Sequence, residues 1–177
     1  MWRVCMQNPV LLVSACLAGI PCRYDGRASF VAELAGLCAE GRAIAVCPEV
    51  EGGLPVPRPP CELRNGRAVT RKGEDMTTPY LIGAEYARAT ALRYSIRLAV
   101  LKAKSPSCGS SLIYDGSFSR TLVPGEGLAT KMLREAGITV LCETNMDLLR
   151  DILEHLSPAE TPETHPLSAL SRQAFFS

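Results

Sequence analysis

Eight cysteines carry most of the soft chemistry in this chain: Cys5, Cys16, Cys22, Cys38, Cys47, Cys61, Cys108 and Cys142. Three of them stand in segments of Gly, Pro and Ser: S-A-C-L-A-G around Cys16, V-C-P-E-V around Cys47 and K-S-P-S-C-G-S around Cys108. A closed zinc site takes four ligands, often as C-x-x-C pairs, and no such pair occurs here. His155 and His165 lie near the end of the chain and read as surface groups. A disulfide uses two thiols and leaves the third over. An iron–sulfur cubane usually takes four thiolates. With three, one iron stays open as a Lewis acid for a sulfur or oxygen atom. The residue types alone rank the cluster slightly above zinc, and three unrelated buried thiols remain an alternative. Cys22, close to Cys16, and Cys61, in P-R-P-P-C-E, are further thiols able to close the open iron. Cys38 and Cys142 sit in apolar segments and read as small hydrophobes, and Cys5 lies in a terminal tail.

Other candidate groups cluster beside these thiols. Glu49 lies two residues past Cys47, next to Pro48, placed either to move a proton or to cap a loop. Ser105 and Ser107 flank Pro106 just before Cys108, where they can orient water or substrate or simply form a turn. Gly, Pro and Ser around the thiols favour backbone N–H groups near sulfur, which steady charge on a cluster. Phe118, in the turn-like segment Y-D-G-S-F, can lie over a planar base or anchor a loop. There is no G-x-G-x-x-G after the first strand and no G-x-x-x-x-G-K-[ST], so no phosphate-binding loop is expected.

The elements that position these residues follow from apolar periodicity. Residues 10–14 (VLLVS), 43–46 (AIAV), 98–101 (LAVL) and 138–141 (ITVL) read as short buried strands. Helices are expected over 30–40, from Thr77 or Thr78 to Tyr94 with Pro79 at the first position, over 127–136, and over 146–156 after Asn145. Residues 52–72 read as a long loop with at most a small hairpin. Buried strands alternating with helices predict an α/β fold. It is a small Rossmann-like, doubly wound parallel sheet of about four strands with helices on both faces. Cys16 follows the first strand, Cys47 the second and Cys108 the third. Ligands gather outside the carboxyl ends of such a sheet, so the topology alone brings these three thiols to one edge.

With 177 residues, the chain fits one compact domain over 1–156 and a Pro/Ser/Thr-rich tail over 157–177. A formal charge of +1 advertises neither nucleic acid nor an anionic membrane. The cations Arg58, Arg64, Arg67, Arg71 and Lys72 read as a solvated loop. No apolar run reaches the ~20 residues that span a bilayer, and the apolar start reads as a tail and a strand, not a signal peptide. A reducing, cytoplasmic setting is expected, in which many cysteines imply metal binding or catalysis more than disulfides.

Three long motifs now stand in order: V-S-A-C-L-A-G with R-Y-D-G, V-C-P-E-V-E-G-G-L-P-V-P-R-P-P, and L-K-A-K-S-P-S-C-G-S with I-Y-D-G-S-F-S. Together they resemble the thiouracil desulfurase family, over roughly residues 10–141. The resemblance implies a [4Fe–4S] cluster held by Cys16, Cys47 and Cys108, with the fourth iron free for substrate sulfur. It implies non-redox removal of sulfur from 2-thiouracil or a related thiolated pyrimidine, giving uracil and sulfide. Glu49, Ser105 and Ser107 then match the groups that position and protonate. Two alternatives stand beside this. One is an enzyme acting on thiolated tRNA bases or another small thio-compound. The other is a non-catalytic metal or redox sensor built on the same thiols.

Overall fold

The computed structural model describes residues 9–155, so Cys5 and the expected tail over 157–177 lie outside the described residues. The elements run β1 (Leu11–Ser14), α1 (Ala32–Ala39), β2 (Ala43–Val46), α2 (Pro48–Glu51), β3 (Cys61–Arg64), β4 (Arg67–Thr70), α3 (Thr77–Arg93), β5 (Leu98–Leu101), β6 (Leu112–Tyr114), β7 (Leu122–Pro124), α4 (Leu128–Glu135), β8 (Thr139–Cys142) and α5 (Met146–His155). They divide into two units, one extending to Asn145 and a second that begins at Met146 and carries α5.

Four strands form one parallel sheet in the order β2–β1–β5–β8. All residues of β1 and β5 are buried. Successive side chains of a strand point to opposite faces, so both faces of the central sheet are covered, as continuous apolar strands require. On one face Leu12, Ala99, Leu101 and Val140 pack with Ala87 and Ala91 of α3 and Leu133 of α4. The expected Rossmann-like α/β sheet of four parallel strands is therefore present. The chain leaves β1 for β2 on one side and then crosses to β5 on the other. The carboxyl ends of β1 and β5 thus form the topological switch point of the sheet.

Two small hairpins extend the fold beyond that sheet. In the segment expected to be mostly loop, β3 and β4 pair antiparallel around Asn65 and Gly66, whose φ values are 51° and 75°. Left-handed backbone at both central residues is the mark of a tight I′ hairpin turn, which Asn-Gly favours. The Y-D-G-S-F segment, expected only as a turn, connects a second hairpin, β6 with β7. Strands of three residues show too little alternation to be read from sequence. Both hairpins share a second small core with α3, formed by Leu54, Leu63, Ala68, Tyr80 and Ile113.

Helix starts differ in detail from expectation. Met76, not a threonine, is the residue before α3, and Asp75 accepts the Thr77 N–H through Oδ1 at 2.9 Å. The Thr77 hydroxyl oxygen instead accepts the N–H of Ala68 at 3.1 Å, tying α3 to β4. After β2 the chain makes a single helical turn, α2, with Pro48 at its first position, where a missing N–H costs nothing. Within the second unit, Arg150 donates to Asp147 on α5 at 2.7 Å.

Candidate active site

The carboxyl ends of β2, β1 and β5 lie side by side, and each is followed by one of the three motif cysteines. The ladder continues past β1 through Ala15 N–H to Val46 C=O, 2.9 Å, which sets Cys16 beside Cys47. Cys16 and Cys108 are buried and Cys47 is half-buried. All three line one cavity of about 450 Å³, within the ~300–1,000 Å³ common to small-molecule sites.

Cys22 is a fourth thiol in this group. It is buried, lines the same cavity, and is electrostatically coupled to the thiols of Cys16 and Cys47. The Cys47 thiol also reaches the Cys22 carbonyl at 3.7 Å. Cys61 lines the cavity from β3, its thiol 4.0 Å from the Pro59 carbonyl. Cys38 is half-buried, and the buried Cys142 thiol is turned to Thr144 and Asn145.

Neighbouring thiols and burial raise the pKa of Cys22, Cys47 and Cys108. The nearby Cys16 thiol is the largest cause pushing Cys22 up to about 11. Cys22 in turn raises Cys47, and burial pushes Cys108 up to about 12. The Ser14 hydroxyl nearby opposes this at Cys108 by favouring the thiolate. Ser14 is a polar residue at the buried end of an apolar strand, and its Oγ also accepts the Lys102 N–H at 2.9 Å.

The Cys108 loop is pinned by the start of α4. The N–H groups of a helix's first turn lack partners within the helix. Here Leu128 N–H donates to Pro106 C=O at 3.0 Å and Ala129 N–H to Ser107 C=O at 2.9 Å. The buried Thr130 hydroxyl donates to Cys108 C=O at 2.9 Å. The Cys47–Glu49 segment is fixed from the other side by α3. A Cβ on Gly83 would stand 1.6 Å from the Pro48 carbonyl oxygen, so only glycine lets the two backbones meet.

Glu49 lies between a cation and a hydroxyl. Arg58 Nε donates to its Oε2 at 2.8 Å and Nη2 lies 2.7 Å from the same oxygen as an ion pair, while Ser105 Oγ donates to Oε1 at 3.4 Å. The Arg58 side chain is only 5 % exposed and also donates to the carbonyls of Pro55 and Cys22. Burial alone lowers its pKa, but the Glu49 carboxylate more than offsets that and keeps the guanidinium charged. This corrects the expectation of a solvated loop at Arg58, although Arg71 and Lys72 are exposed as expected.

The two serines of the S-P-S-C segment take different places. Ser105 lines the cavity, and its Oγ accepts the N–H groups of Ser107 and Cys108, both at 3.1 Å. Those two N–H groups therefore serve the hydroxyl, not a sulfur. Ser107 is fully buried, and its Oγ has no hydrogen-bond partner meeting normal geometry.

Among the described residues, no three His, Cys, Asp or Glu side chains close on one point as the ligands of a single ion do. Thiols distributed around a cavity suit a polynuclear cluster, whose ligands bind different corners. Soft sulfur donors also match iron–sulfur chemistry. The donor set fits such a group.

A family model described as 2-thiouracil desulfurase matches residues 11–145, which takes in all four of these thiols, Glu49 and both serines. The chain belongs to the 2-thiouracil desulfurase family. It is similar to the Bacillus subtilis (strain 168) protein YbbK, 38 % identical over 154 residues, covering 81 % of this chain and all of that protein. It is also similar to a solved structure, that of the [4Fe-4S]-dependent thiouracil desulfidase TudS. The TM-score is 0.79 at 47 % identity, over 82 % of this chain and 98 % of TudS. The desulfurase-family sheet and the cysteine-lined cavity fall inside the matched region. No helix among the described residues is long and apolar enough to cross a membrane.

Proposed function

We propose that this chain hydrolyses the C–S bond of 2-thiouracil or a related thiolated pyrimidine, giving uracil and sulfide. Cys16, Cys47 and Cys108 hold a [4Fe–4S] cluster. The observation that carries this reading is the meeting of three thiols, from three neighbouring strand ends, with the Glu49–Ser105 pair in one cavity. When bound, the cluster supplies a soft Lewis acid and acceptor for thiocarbonyl sulfur.

The protein's own groups supply the rest. Glu49 accepts a proton from water through Oε1 while Arg58 holds Oε2 in place. Ser105, already hydrogen-bonded to that carboxylate, orients the water. Oxygen bonds to the thiocarbonyl carbon, the C–S bond breaks, and sulfide leaves with the bonding pair, so no electron is gained or lost overall. Ser107, walled off from the cavity, acts by supporting the Cys108 loop.

Anaerobic purification tests this by iron and sulfide assays, a visible spectrum, and conversion of 2-thiouracil to uracil. The expected result is a brown protein with turnover, and a Cys108→Ala variant that loses both colour and activity. Turnover that persists without iron would rule the scheme out. A thiolated base within RNA is a second reading. It is favoured by the exposed cations Arg71, Lys104 and Arg120 on the cavity wall. It requires tRNA binding that weakens steeply with salt.

A further inference from the structure

Phe118 lies half-buried on the cavity wall with a left-handed backbone, φ 60°. A bulky residue is strained in that region and stays there only when its surroundings over-determine it. They do so here. Glu62, a buried carboxylate on β3, accepts the N–H of Gly116 at 3.0 Å and of Phe118 at 2.9 Å through the same oxygen, Oε2. Arg64 donates through Nε to the Gly116 carbonyl at 3.2 Å. Gly116 has φ 85°, and a Cβ there would stand 2.8 Å from Arg64 Cβ. Arg71 donates to the Phe118 carbonyl at 3.4 Å, and its guanidinium lies 5.1 Å from the ring centroid. Two hairpins are thus locked together through the buried Glu62 side chain, and what they fix in place is one aromatic ring on the cavity wall. An anchor needed only for packing would be buried in the small core of Leu54, Leu63, Tyr80 and Ile113.

We infer that Phe118 is the stacking surface for the pyrimidine ring, and that Glu62 is the positioning residue that aims it. This rests on the thiopyrimidine reading of the site and extends it to substrate selection. A flat heterocycle gains from stacking on an aromatic face. The Arg71 guanidinium, also on the cavity wall, adds a cation beside the same ring.

The test uses the cluster-loaded protein and two readouts: calorimetric binding of uracil, and KM and kcat for 2-thiouracil. Uracil lacks the soft sulfur that iron prefers, so a change in its affinity between variants of equal iron content reports the wall. Phe118→Leu keeps apolar bulk and removes the π-face. It is expected to weaken uracil about tenfold and raise KM similarly, with iron content and kcat unchanged. Phe118→Tyr restores both values. Glu62→Ala reproduces the Phe118→Leu defect, and the double variant is no worse than Phe118→Leu alone. The inference is overturned if Phe118→Leu binds uracil like the wild type, or if its defect appears only together with loss of iron. Turnover of thiouracil by the wild type tests the underlying reading separately. A wild type that binds uracil through Phe118 yet leaves thiouracil intact fails that reading and not the stacking wall.

Discussion

A guanidinium buried beside a carboxylate is stable only while both are present. Arg58 and Glu49 form such a pair, with side chains 5 % and 13 % exposed. Arg58→Met leaves Glu49 without its cation and is expected to lower unfolding stability by about 3–5 kcal/mol, read from a urea midpoint. Glu49→Ala is expected to keep its iron and lose at least about 10²-fold in kcat. Loss of iron in that variant would make Glu49 a structural residue. The thiols set a pH dependence of their own. In the cluster-free protein Cys22 stands near 11 and Cys108 near 12, both above the ordinary 9.0. The folded state therefore keeps protons that the unfolded chain releases above pH 9. This contribution is complete below pH 9 and is lost as pH rises through about 11 to 12, so the cluster-free protein loses stability on the alkaline side. Urea midpoints compared at pH 8 and pH 10 check the sign. Cys16, Cys47, Cys108, Glu49 and Ser105 were legible because each sits in a short Gly-, Pro- or Ser-rich motif. Arg58 was hidden among exposed cations, and Ser14 looked like the ordinary end of a strand. Only the fold shows which of several arginines meets a buried carboxylate.

At the scale of elements, the parallel strands were legible because four consecutive apolar residues, buried on both faces, carry a strong signal. The hairpin β6–β7 was not, since strands of three residues carry too little alternation. The single turn α2 was not legible either: it is four residues long and packs at Pro48 against Gly83 of α3. Gly83 makes that packing testable. In an exposed helix, Gly→Ala gains about 1 kcal/mol from propensity. Here the added methyl meets the Pro48 carbonyl at 1.6 Å, and overpacking of this kind costs about 1–3 kcal/mol. The expected outcome of Gly83→Ala is therefore a lower melting midpoint together with reduced iron content, because α3 braces the segment that carries Cys47 and Glu49.

For the whole molecule, the formal charge of +1 gives no hint that cations gather on one cavity wall. Net charge averages over a surface, whereas recognition depends on where the charges sit. A cofactor bound only by the folded chain also stabilises it. Removing iron with a chelator is expected to lower the melting temperature.

On the proposed reading, in which Cys16, Cys47 and Cys108 anchor the cluster, their placement after separate strands has a consequence for biogenesis. While the ribosome is still making β5, Cys16 and Cys47 are already present but their partner beyond β5 is not. A nascent chain at that stage has no complete socket, so delivery of iron waits until synthesis has passed Cys108 and α4 has emerged to clamp the loop. A fragment that stops short of Cys108 stays colourless even when iron and sulfide are supplied in excess.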